Sequence, residues 1–249
     1  PKLKQRFFSD ALIHRSIITA GEGESFIADK IQDLEEALPP HIKLAYLPGA
    51  GMVKLRLTGR GSDPIALADE LQVHQAAIAS RLDYILIALE DIPMEQIVGR
   101  LLATNNLKLG LAESCTGGNI AHHITQVPGA SAYFNGSIVC YQDEIKQQIL
   151  GVKKETITQY GVISEQTVIQ MVQGAIRMLD ADVALAITGL LGPACEGDTL
   201  PVGTVWMAVA DKTTVKTKEF RFHYDRERNK EMATSMAMLM IWKFINGKL

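Results

Sequence analysis

Two short segments in the first part of the chain alternate between hydrophobic and polar residues. Residues 42–46 alternate as a half-buried strand does, and residues 53–57 continue the pattern after a turn rich in proline and glycine. Helices are predicted over residues 25–38 and 63–84, the second of which begins at an Asp-Pro pair. Residues 1–92 are therefore expected to form a small α+β domain of a strand hairpin and helices.

The second part of the chain, residues 93–249, alternates short apolar segments with stretches of helical periodicity. The predicted strands are residues 107–112, 137–141, 182–187, 203–210 and 214–222. The predicted helices are residues 93–105, 117–125, 143–150, 168–179 and 225–245. Strands that alternate with helices are typical of a layered domain with helices on both faces of the sheet. This part is therefore expected to be a three-layer α/β/α domain.

The most informative stretch for chemistry is Ala112 to Gly118, where a predicted buried strand ends and a helix begins. Unpaired backbone N–H groups at such a point can stabilise an oxyanion, and two glycines let a substrate approach the main chain. Ser114 is then a candidate nucleophile beside an electrophilic cradle. In the alternative interpretation, Ser114 and Thr116 only cap the helix. The stretch is neither a Walker P-loop nor a GxSxG elbow.

A serine nucleophile needs a base, and none of the six histidines has an evident carboxylate partner in the sequence. Lys146 is the better candidate, because it follows the second predicted strand of this part and adjacent parallel strands bring such loops together. A lysine acts as a base only when neutral, a state that burial favours. The alternative is a solvated helix lysine, which is the commoner situation for this residue type.

Composition and charge argue against several classes of protein. Of 249 residues, 47% are hydrophobic and 21% are charged, which is typical of globular proteins with an apolar core. The net charge of −3 gives no basic surface for nucleic acid, and no apolar run reaches the roughly 18 residues of a membrane span. Cys115, Cys140 and Cys195 have no CxxC spacing, so we expect no disulfide framework, no metal site and a cytoplasmic location.

Several motifs of the second part closely resemble the CinA carboxy-terminal domain, the family of nicotinamide mononucleotide deamidases. The first are AESCTGG at residues 112–118 and VPGASAYF at residues 127–134. Further motifs are Leu150-Gly151-Val152, YGVISE at residues 160–165, Thr188-Gly189, Gly192-Pro193 and PVGTV at residues 201–205. The resemblance covers residues 93–245 in order and at similar spacing. It implies an α/β/α fold and hydrolysis of the nicotinamide amide to nicotinic acid mononucleotide and ammonia, without a metal or cofactor.

The resemblance also implies roles for particular residues. It makes Ser114 and Lys146 a catalytic dyad that acts on a small-molecule nucleotide, and it suggests a homodimer. The residues expected to bind the substrate are Thr116, Gly117, Gly118, Tyr141, Thr188 and Gly189. Residues 1–92 resemble the small middle domain of full-length CinA proteins. Those proteins begin with a further molybdopterin-binding-like domain, associated with ADP-ribose pyrophosphatase activity. The 249 residues do not include a match to that domain. The start at Pro1 is expected to reflect truncation or methionine removal.

The chain departs from the family pattern at two places. Residues 194–200 lack most of the usual glycines, and Leu200 stands where a basic residue usually precedes Pro-Val-Gly. If this loop binds the substrate's phosphate, the loss of the cation, with Glu196 and Asp198 nearby, weakens that binding. Asp143 stands where the family usually has Asn. Its negative charge would favour the protonated form of Lys146 over the neutral form that a base requires. An alternative function is therefore a catalytically silent binding or scaffolding module. A third possibility, nucleic-acid binding by residues 1–92, is disfavoured by the excess of acidic over basic residues in the chain and by the lack of a basic GxxG loop.

Overall fold

The computed structural model describes residues 10–194, 197 and 199–249. The chain divides into an N-terminal unit, residues 1–92, and a C-terminal unit, residues 93–249. Each unit has its own sheet. The expected class, an α/β/α domain preceded by a small α+β domain, is confirmed.

The N-terminal unit packs helices on a four-stranded antiparallel sheet. In chain order its elements are β1 (Ala11–Ala20), α1 (Glu24–Glu36), β2 (Ile42–Gly49), β3 (Met52–Gly61), α2 (Pro64–Arg81) and β4 (Leu86–Ala88). The strand order is β2-β3-β1-β4. Apolar side chains from one face of the sheet, such as Ile17, Leu55 and Leu57, pack in one cluster with Ile27 of α1 and Leu71 of α2. Burial of this apolar face holds the unit together.

The start of α2 follows the sequence prediction. The Asp63 carboxylate accepts hydrogen bonds from the N–H groups of Ile65 and Ala66, at 2.9 and 3.2 Å. Pro64 occupies the first helical position, where its missing N–H costs nothing. An aspartate cap followed by proline therefore sets the first turn of this helix.

The C-terminal unit has a mixed five-stranded sheet. Its strands are β5 (Leu109–Glu113), β6 (Phe134–Val139), β7 (Val183–Gly189), β8 (Thr204–Ala210) and β9 (Val215–Arg221). The strand order is β6-β5-β7-β8-β9. β6, β5 and β7 are parallel, whereas β8 and β9 run antiparallel to their neighbours. β5 and β7 are almost continuously apolar because strands in the middle of such a sheet are covered on both faces.

Helices cover both faces of this sheet and make the three layers. They are α3 (Met94–Thr104), α4 (Asn119–Thr125), α5 (Asp143–Leu150), α6 (Lys154–Tyr160), α7 (Glu165–Leu179) and α8 (Arg226–Ile245). α7 packs on β5, β7 and β8 and contacts α5 and α6, whereas α8 contacts α3, α4 and β8. The predicted stripe of α7 is core packing, since Val168, Met171, Val172 and Ala175 are fully buried.

The structure also contains elements that the hydrophobic pattern did not predict. β1 is a central strand, but its second half, Ser16 to Ala20, is buried at every position and includes a polar Thr19. Such a segment shows no alternation. α6 was missed because seven residues are too few to show helical periodicity. β6 begins at Phe134 and not at residue 137, and Tyr141 lies beyond its end.

Candidate active site

The candidate site lies where β5 ends and α4 begins. The carboxyl ends of β5, β6 and β7 gather at one edge of the sheet because the three strands are parallel. The backbone N–H of Ser114 donates to the Ile187 carbonyl at 3.1 Å, which extends the pairing of β5 with β7. The Ser114 residue is 8% exposed. Its backbone is therefore held at the edge of the sheet where the site opens.

Glu113, the last residue of β5, organises the turn that follows. Its carboxylate is fully buried and accepts hydrogen bonds at 2.8–3.1 Å from the hydroxyls of Thr116 and Ser137 and the N–H groups of Gly118, Ile120 and Ala121. A carboxylate at the start of a helix is stabilised by the unpaired N–H groups there. No sequence motif marks Glu113 for this role, because it lies in the strand and not at the position before the helix.

This arrangement bears on two sequence-based interpretations of the turn. Of the N–H groups from Thr116 to Gly118, which are predicted to lie near an oxyanion, that of Gly118 donates to Glu113 at 3.1 Å. Neither Ser114 nor Thr116 caps the helix: the cap residue is Gly118 and the Thr116 hydroxyl donates to Glu113 at 2.8 Å. Across residues 10–194, 197 and 199–249, the N–H groups of Cys115 and Thr116 make no hydrogen bond to another residue.

The two glycines are required by the backbone conformation. Gly117 and Gly118 have φ of +62° and +97°, in the left-handed region that side chains disfavour. A Cβ at Gly117 would meet no atom within 4 Å. The glycines therefore allow the turn itself, and open space lies beside Gly117.

Lys146 lies on α5 with its side chain only 1% exposed. Its ammonium nitrogen is 3.2 Å from the Tyr141 carbonyl oxygen and 3.4 Å from Asp143 Oδ1. An ammonium group has three N–H donors, and the described residues provide two acceptors at these rather long distances. Buried charges are normally well paired. This lysine is thus buried without full compensation of a charge.

Ser114 and Lys146 line one cavity of about 170 Å³. Tyr141, Thr188 and Gly189 also line it, so five of the sequence-predicted site residues lie around one space. The lining does not include Thr116, Gly117 or Gly118. The Ser114 hydroxyl makes no hydrogen bond to Lys146 within the described residues.

Thr188 and Gly189, at the end of β7, shape the wall of this cavity. The buried Thr188 hydroxyl donates to the Val162 carbonyl at 3.0 Å, so it holds the loop between α6 and α7. A Cβ at Gly189 would lie 2.7 Å from the Thr204 carbonyl oxygen, too close for any side chain. Both residues thus have a clear structural role, and direct substrate contact by either stays a prediction.

Arg226, which the sequence analysis did not single out, brings a positive charge to the cavity. It is the first residue of α8 and lies in the cavity lining. Its guanidinium donates to the Gly192 carbonyl and, at 3.1 Å, to the Tyr141 phenol. Both acceptors are neutral. No local motif marks this residue, because it lies more than one hundred positions after Ser114 and reaches the site only through the fold.

Cys115 lies beside Ser114 and shares its cavity. The pKa of the Cys115 thiol is raised to about 12, mainly by burial and to a smaller extent by the nearby Glu113 carboxylate, while Arg226 and Lys146 oppose the shift. Burial also raises the pKa of Cys140 to about 11. Both thiols are therefore protonated at neutral pH, and a protonated thiol is a poor nucleophile.

Other expectations concern residues and features outside this cavity. Cys195, Glu196 and Asp198 of the altered loop lie outside the described residues, while Leu200 is described and exposed. In the described part of the chain, no three His, Cys, Asp or Glu side chains are grouped so that they can hold a metal ion. No helix there is long and apolar enough to cross a membrane.

Family models match both units of the chain. The CinA C-terminal domain matches residues 91–245, and the KH domain of the damage-inducible protein CinA matches residues 14–85. Among curated proteins, a CinA-like protein of Cytophaga hutchinsonii is 42% identical over 96% of this chain. One from Flavobacterium psychrophilum is 38% identical over 98% of this chain. The chain spans 57% and 59% of the length of these two relatives.

Solved structures are similar to about two thirds of this chain. The competence-damaged protein (CinA) superfamily protein of Klebsiella pneumoniae superimposes with a TM-score of 0.60 at 31% identity, over 63% of this chain and 99% of its own. The competence/damage inducible protein CihA of Agrobacterium tumefaciens gives a TM-score of 0.58 at 33% identity, over 64% of this chain and 99% of its own.

Proposed function

This chain belongs to the CinA family, and we propose that its C-terminal unit hydrolyses the carboxamide of nicotinamide mononucleotide. The products are nicotinic acid mononucleotide and ammonia. Ser114 is the nucleophile and Lys146 the general base. The observation that supports this most directly is the burial of the Lys146 amine in the cavity that Ser114 lines.

The reaction has two halves that use the same two side chains. Neutral Lys146 takes the proton of the Ser114 hydroxyl as the oxygen attacks the amide carbon. The tetrahedral intermediate collapses, the C–N bond breaks, and Lys146 returns the proton to the leaving nitrogen, which departs as ammonia. A water molecule then attacks the seryl ester while Lys146 takes its proton. Collapse of that intermediate releases the carboxylic acid and restores the Ser114 hydroxyl.

The mechanism requires a neutral amine, and the Lys146 side chain is buried with few partners for a charge. A buried ammonium costs several kcal/mol unless its partners are close and well placed. Lys146 has one carbonyl and one carboxylate as acceptors, and the Asp143 side chain is itself 44% exposed. A carboxylate that water solvates stabilises the ammonium less than a buried one does. These two contacts therefore compensate a buried charge only in part.

The free N–H groups of the turn are suited to the developing oxyanion. Cys115 and Thr116 directly follow the nucleophile, and their N–H groups have no other partner among the described residues. Glu113 fixes the turn through five hydrogen bonds, so these donors are held before the substrate arrives. Donors that are held in place stabilise a transition state without reorganisation.

One observation favours a silent binding module instead. The Ser114 hydroxyl and the Lys146 amine make no hydrogen bond to each other among the described contacts, and Lys146 faces Tyr141 and Asp143. A working dyad is also compatible with this arrangement, because catalytic hydrogen bonds often tighten only when substrate is bound.

An ammonia-release assay on nicotinamide mononucleotide separates the two functions. We expect the full chain to release ammonia and nicotinic acid mononucleotide in equal amounts. Ser114→Ala removes the nucleophile and leaves β5 and the Glu113 network in place, so its turnover should fall by several orders of magnitude with the fold intact. A wild-type chain that binds the nucleotide without releasing ammonia would establish the silent module. Sedimentation of the same protein tests the homodimer that the resemblance suggests.

A further inference from the structure

The sheet of the N-terminal unit carries positive charge without negative charge. The strands β1, β2 and β3 contain no aspartate or glutamate, although acidic residues outnumber basic ones across residues 10–92. Most lysines and arginines of residues 10–92 lie on these strands, whereas the carboxylates lie on helices and loops. The two kinds of charge are therefore largely separated within this unit.

The strand register places these cations on the face of the sheet that α1 and α2 leave open. Leu55 and Leu57 belong to the core cluster under the helices. Successive side chains of a strand point to opposite faces, so Arg56 points away from the helices. Directly paired residues of antiparallel strands share a face, as the 2.9 Å contact between His14 and Thr58 illustrates. We define the sheet surface by six residues of this open face, Leu12, Lys43, Leu47, Lys54, Arg56 and Arg60.

The cations of the sheet surface are poorly neutralised. Lys54 pairs with Asp91 at 2.7 Å. Lys43, Arg56 and Arg60 form no ion pair within the described part of the chain. The Nε atom of Arg56 is buried and has no hydrogen-bond partner among those residues. The sheet surface therefore offers positive charge to an acidic partner.

The outward side of α1 has the opposite charge. We call four exposed residues of this side, which are three, four and three positions apart and so share one face of the helix, the acidic stripe: Phe26, Asp29, Asp33 and Glu36. Asp33 pairs with Arg81. Asp29 and Glu36 form no ion pair with any residue that the structure describes. Phe26 is 68% exposed. The stripe thus combines carboxylates with one large apolar side chain.

The acidic stripe matches the sheet surface in size and in character. α1 has 13 residues and is about 20 Å long, and β1 and β3, with 10 residues each, extend about 33 Å. Leu12 and Leu47 of the sheet surface are 55% and 36% exposed and lie directly opposite Arg60 and Lys54. A helix can therefore lie along the sheet surface with its phenylalanine against the leucines and its carboxylates among the cations.

We propose that copies of this chain associate head to tail, with the acidic stripe of one copy docked on the sheet surface of the next. α1 packs on the core face of the sheet, so its outward side and the sheet surface lie on opposite sides of the unit. A contact between two different surfaces is heterologous, and further copies can add at both ends. One helix on one sheet face is a small interface, so the association is weak and transient. It is independent of the reaction at Ser114.

The sheet surface is less suited to single-stranded nucleic acid. Proteins that bind such strands usually stack the bases on aromatic side chains. In β1, β2 and β3 the one residue among phenylalanine, tyrosine and tryptophan is Tyr46. Its hydroxyl donates to Glu35 of α1 at 2.6 Å, so it lies on the helix side of the sheet. Charge without a stacking platform favours a protein partner.

The first test is sedimentation velocity of the full chain over a concentration series at about 0.05 M and about 0.5 M sodium chloride. In low salt the average mass should keep rising with concentration, because a head-to-tail contact adds copies without closing. High salt screens the charges, so this rise should disappear.

Two charge-reversal variants test which surfaces meet. Lys43→Glu with Arg60→Glu makes the sheet surface acidic. Asp29→Lys with Glu36→Lys makes the stripe of α1 basic. Each variant alone should weaken the association by about ten-fold or more, because like charges then face each other. An equimolar mixture should regain it, since the acidic sheet surface of one variant meets the basic stripe of the other.

The matched control is Lys154→Glu with Lys216→Glu, which changes two exposed lysines of the C-terminal unit. It alters the net charge as much as the sheet variant does and should associate as the wild type does. Circular dichroism checks that every variant is folded. The salt series of the wild type needs no variant, so it tests the proposal even if one of them fails to fold.

Four results would overturn the proposal. They are an average mass that does not change with concentration in low salt, an association that survives both variants, a mixture that fails to associate, and a control that loses the association as well. Titration of a labelled single-stranded DNA oligonucleotide tests the other partner. If the oligonucleotide binds the wild type but not the sheet variant while the chain does not self-associate, the sheet surface belongs to nucleic acid instead.

Discussion

The two units of this chain bury different kinds of polar groups. Within residues 10–92 the buried polar side chains are Ser16, Thr19 and Gln75, all neutral. Thr19 donates to the Val53 carbonyl, and Gln75 donates to the carbonyls of Ser16 and Leu89. Among its described residues, the C-terminal unit also buries a carboxylic acid, Glu113, and an amine, Lys146. Burying neutral groups that are hydrogen-bonded costs little, whereas burying charges is costly and needs a reason.

The buried carboxylic acid and the buried amine of the C-terminal unit differ from each other as well. Glu113 accepts five hydrogen bonds and so completes the turn into α4. Lys146 makes two longer contacts and borders a cavity. The hydrogen bonds of Glu113 compensate the burial of its carboxylate, which therefore stabilises the fold. The contacts of Lys146 do not fully compensate the burial of its amine, and this arrangement is expected of a group whose proton moves during a reaction.

The largest effect is expected from removing the amine of Lys146. Lys146→Met keeps much of the stem and should lower turnover by about a thousand-fold or more, since a general base contributes 10²–10⁴-fold. Its thermal midpoint should be unchanged or higher, because a poorly compensated buried charge is replaced by an apolar group. Ammonia release and a thermal melt measure the two effects.

Lys146→Arg is the matched control for charge. A guanidinium stays protonated and cannot accept the serine's proton, so we expect nearly the same loss as with methionine. If Lys146 only provides positive charge to an anion, arginine restores a substantial part of the rate. That outcome would remove the general-base assignment and leave Ser114 as the nucleophile.

The next effect, on stability, concerns Glu113. Glu113→Gln keeps the shape of the side chain but replaces one carboxylate oxygen by an NH₂ group. The N–H and O–H groups that donate to that oxygen then lose their acceptor. Leaving buried donors unpaired costs about 1–3 kcal/mol each, so the free energy of unfolding should fall by about 3 kcal/mol. Urea unfolding followed by tryptophan fluorescence measures it, because both tryptophans, Trp206 and Trp242, lie in the C-terminal unit.

Gln75→Leu is the comparison in the N-terminal unit. It removes two hydrogen bonds from a neutral side chain and should cost about 1–2 kcal/mol, measured by far-ultraviolet circular dichroism. An equal or larger loss than that of Glu113→Gln would mean that the buried carboxylate contributes no more than a neutral group does.

Part of the candidate site could be predicted from the sequence. The remaining residues come together only in the folded structure. The AESCTGG stretch predicted a strand, a turn and a helix, because an apolar run ending in paired glycines is a local signal. Lys146 was placed near Ser114 because parallel neighbouring strands end at the same edge. Glu113 and Arg226 carry no local signal, since Glu113 lies in a strand and accepts N–H groups from the start of α4, and Arg226 belongs to a helix that is distant in sequence.

The fold shows the same division between local and non-local information. The amphipathic stripe of α7 and the Asp-Pro start of α2 are local and were predicted. The antiparallel direction of β8 and β9 was not, because an apolar pattern carries no strand direction. β1 was missed for a related reason: its buried Thr19 is satisfied by Val53, a partner 34 residues away.

A moderate effect is expected from Asp143, whose carboxylate lies 3.4 Å from the Lys146 amine. Removing that negative charge takes away the carboxylate that pairs with the ammonium form, which is the form that cannot accept the serine's proton. Asp143→Asn should therefore raise kcat/KM at neutral pH by up to about ten-fold. Glu144→Gln, which changes an exposed carboxylate on the same helix, is the matched control and should leave kcat/KM unchanged. A slower Asp143→Asn variant would mean that the carboxylate positions the lysine or the substrate.

The smallest effect is expected at Cys115, which tests whether the chemistry belongs to Ser114 or to its neighbour. Burial raises the pKa of this thiol to about 12, so below that pH the sulfur is protonated and weakly nucleophilic. Cys115→Ala should keep the rate within about three-fold and give a pH profile that superimposes on that of the wild type. If the thiolate were the nucleophile, the wild-type rate would rise towards pH 12 and the variant would be inactive. Because Ser114→Ala and Cys115→Ala alter adjacent residues of one turn, a loss confined to the serine variant cannot come from general damage to that turn, and it assigns the nucleophile to Ser114.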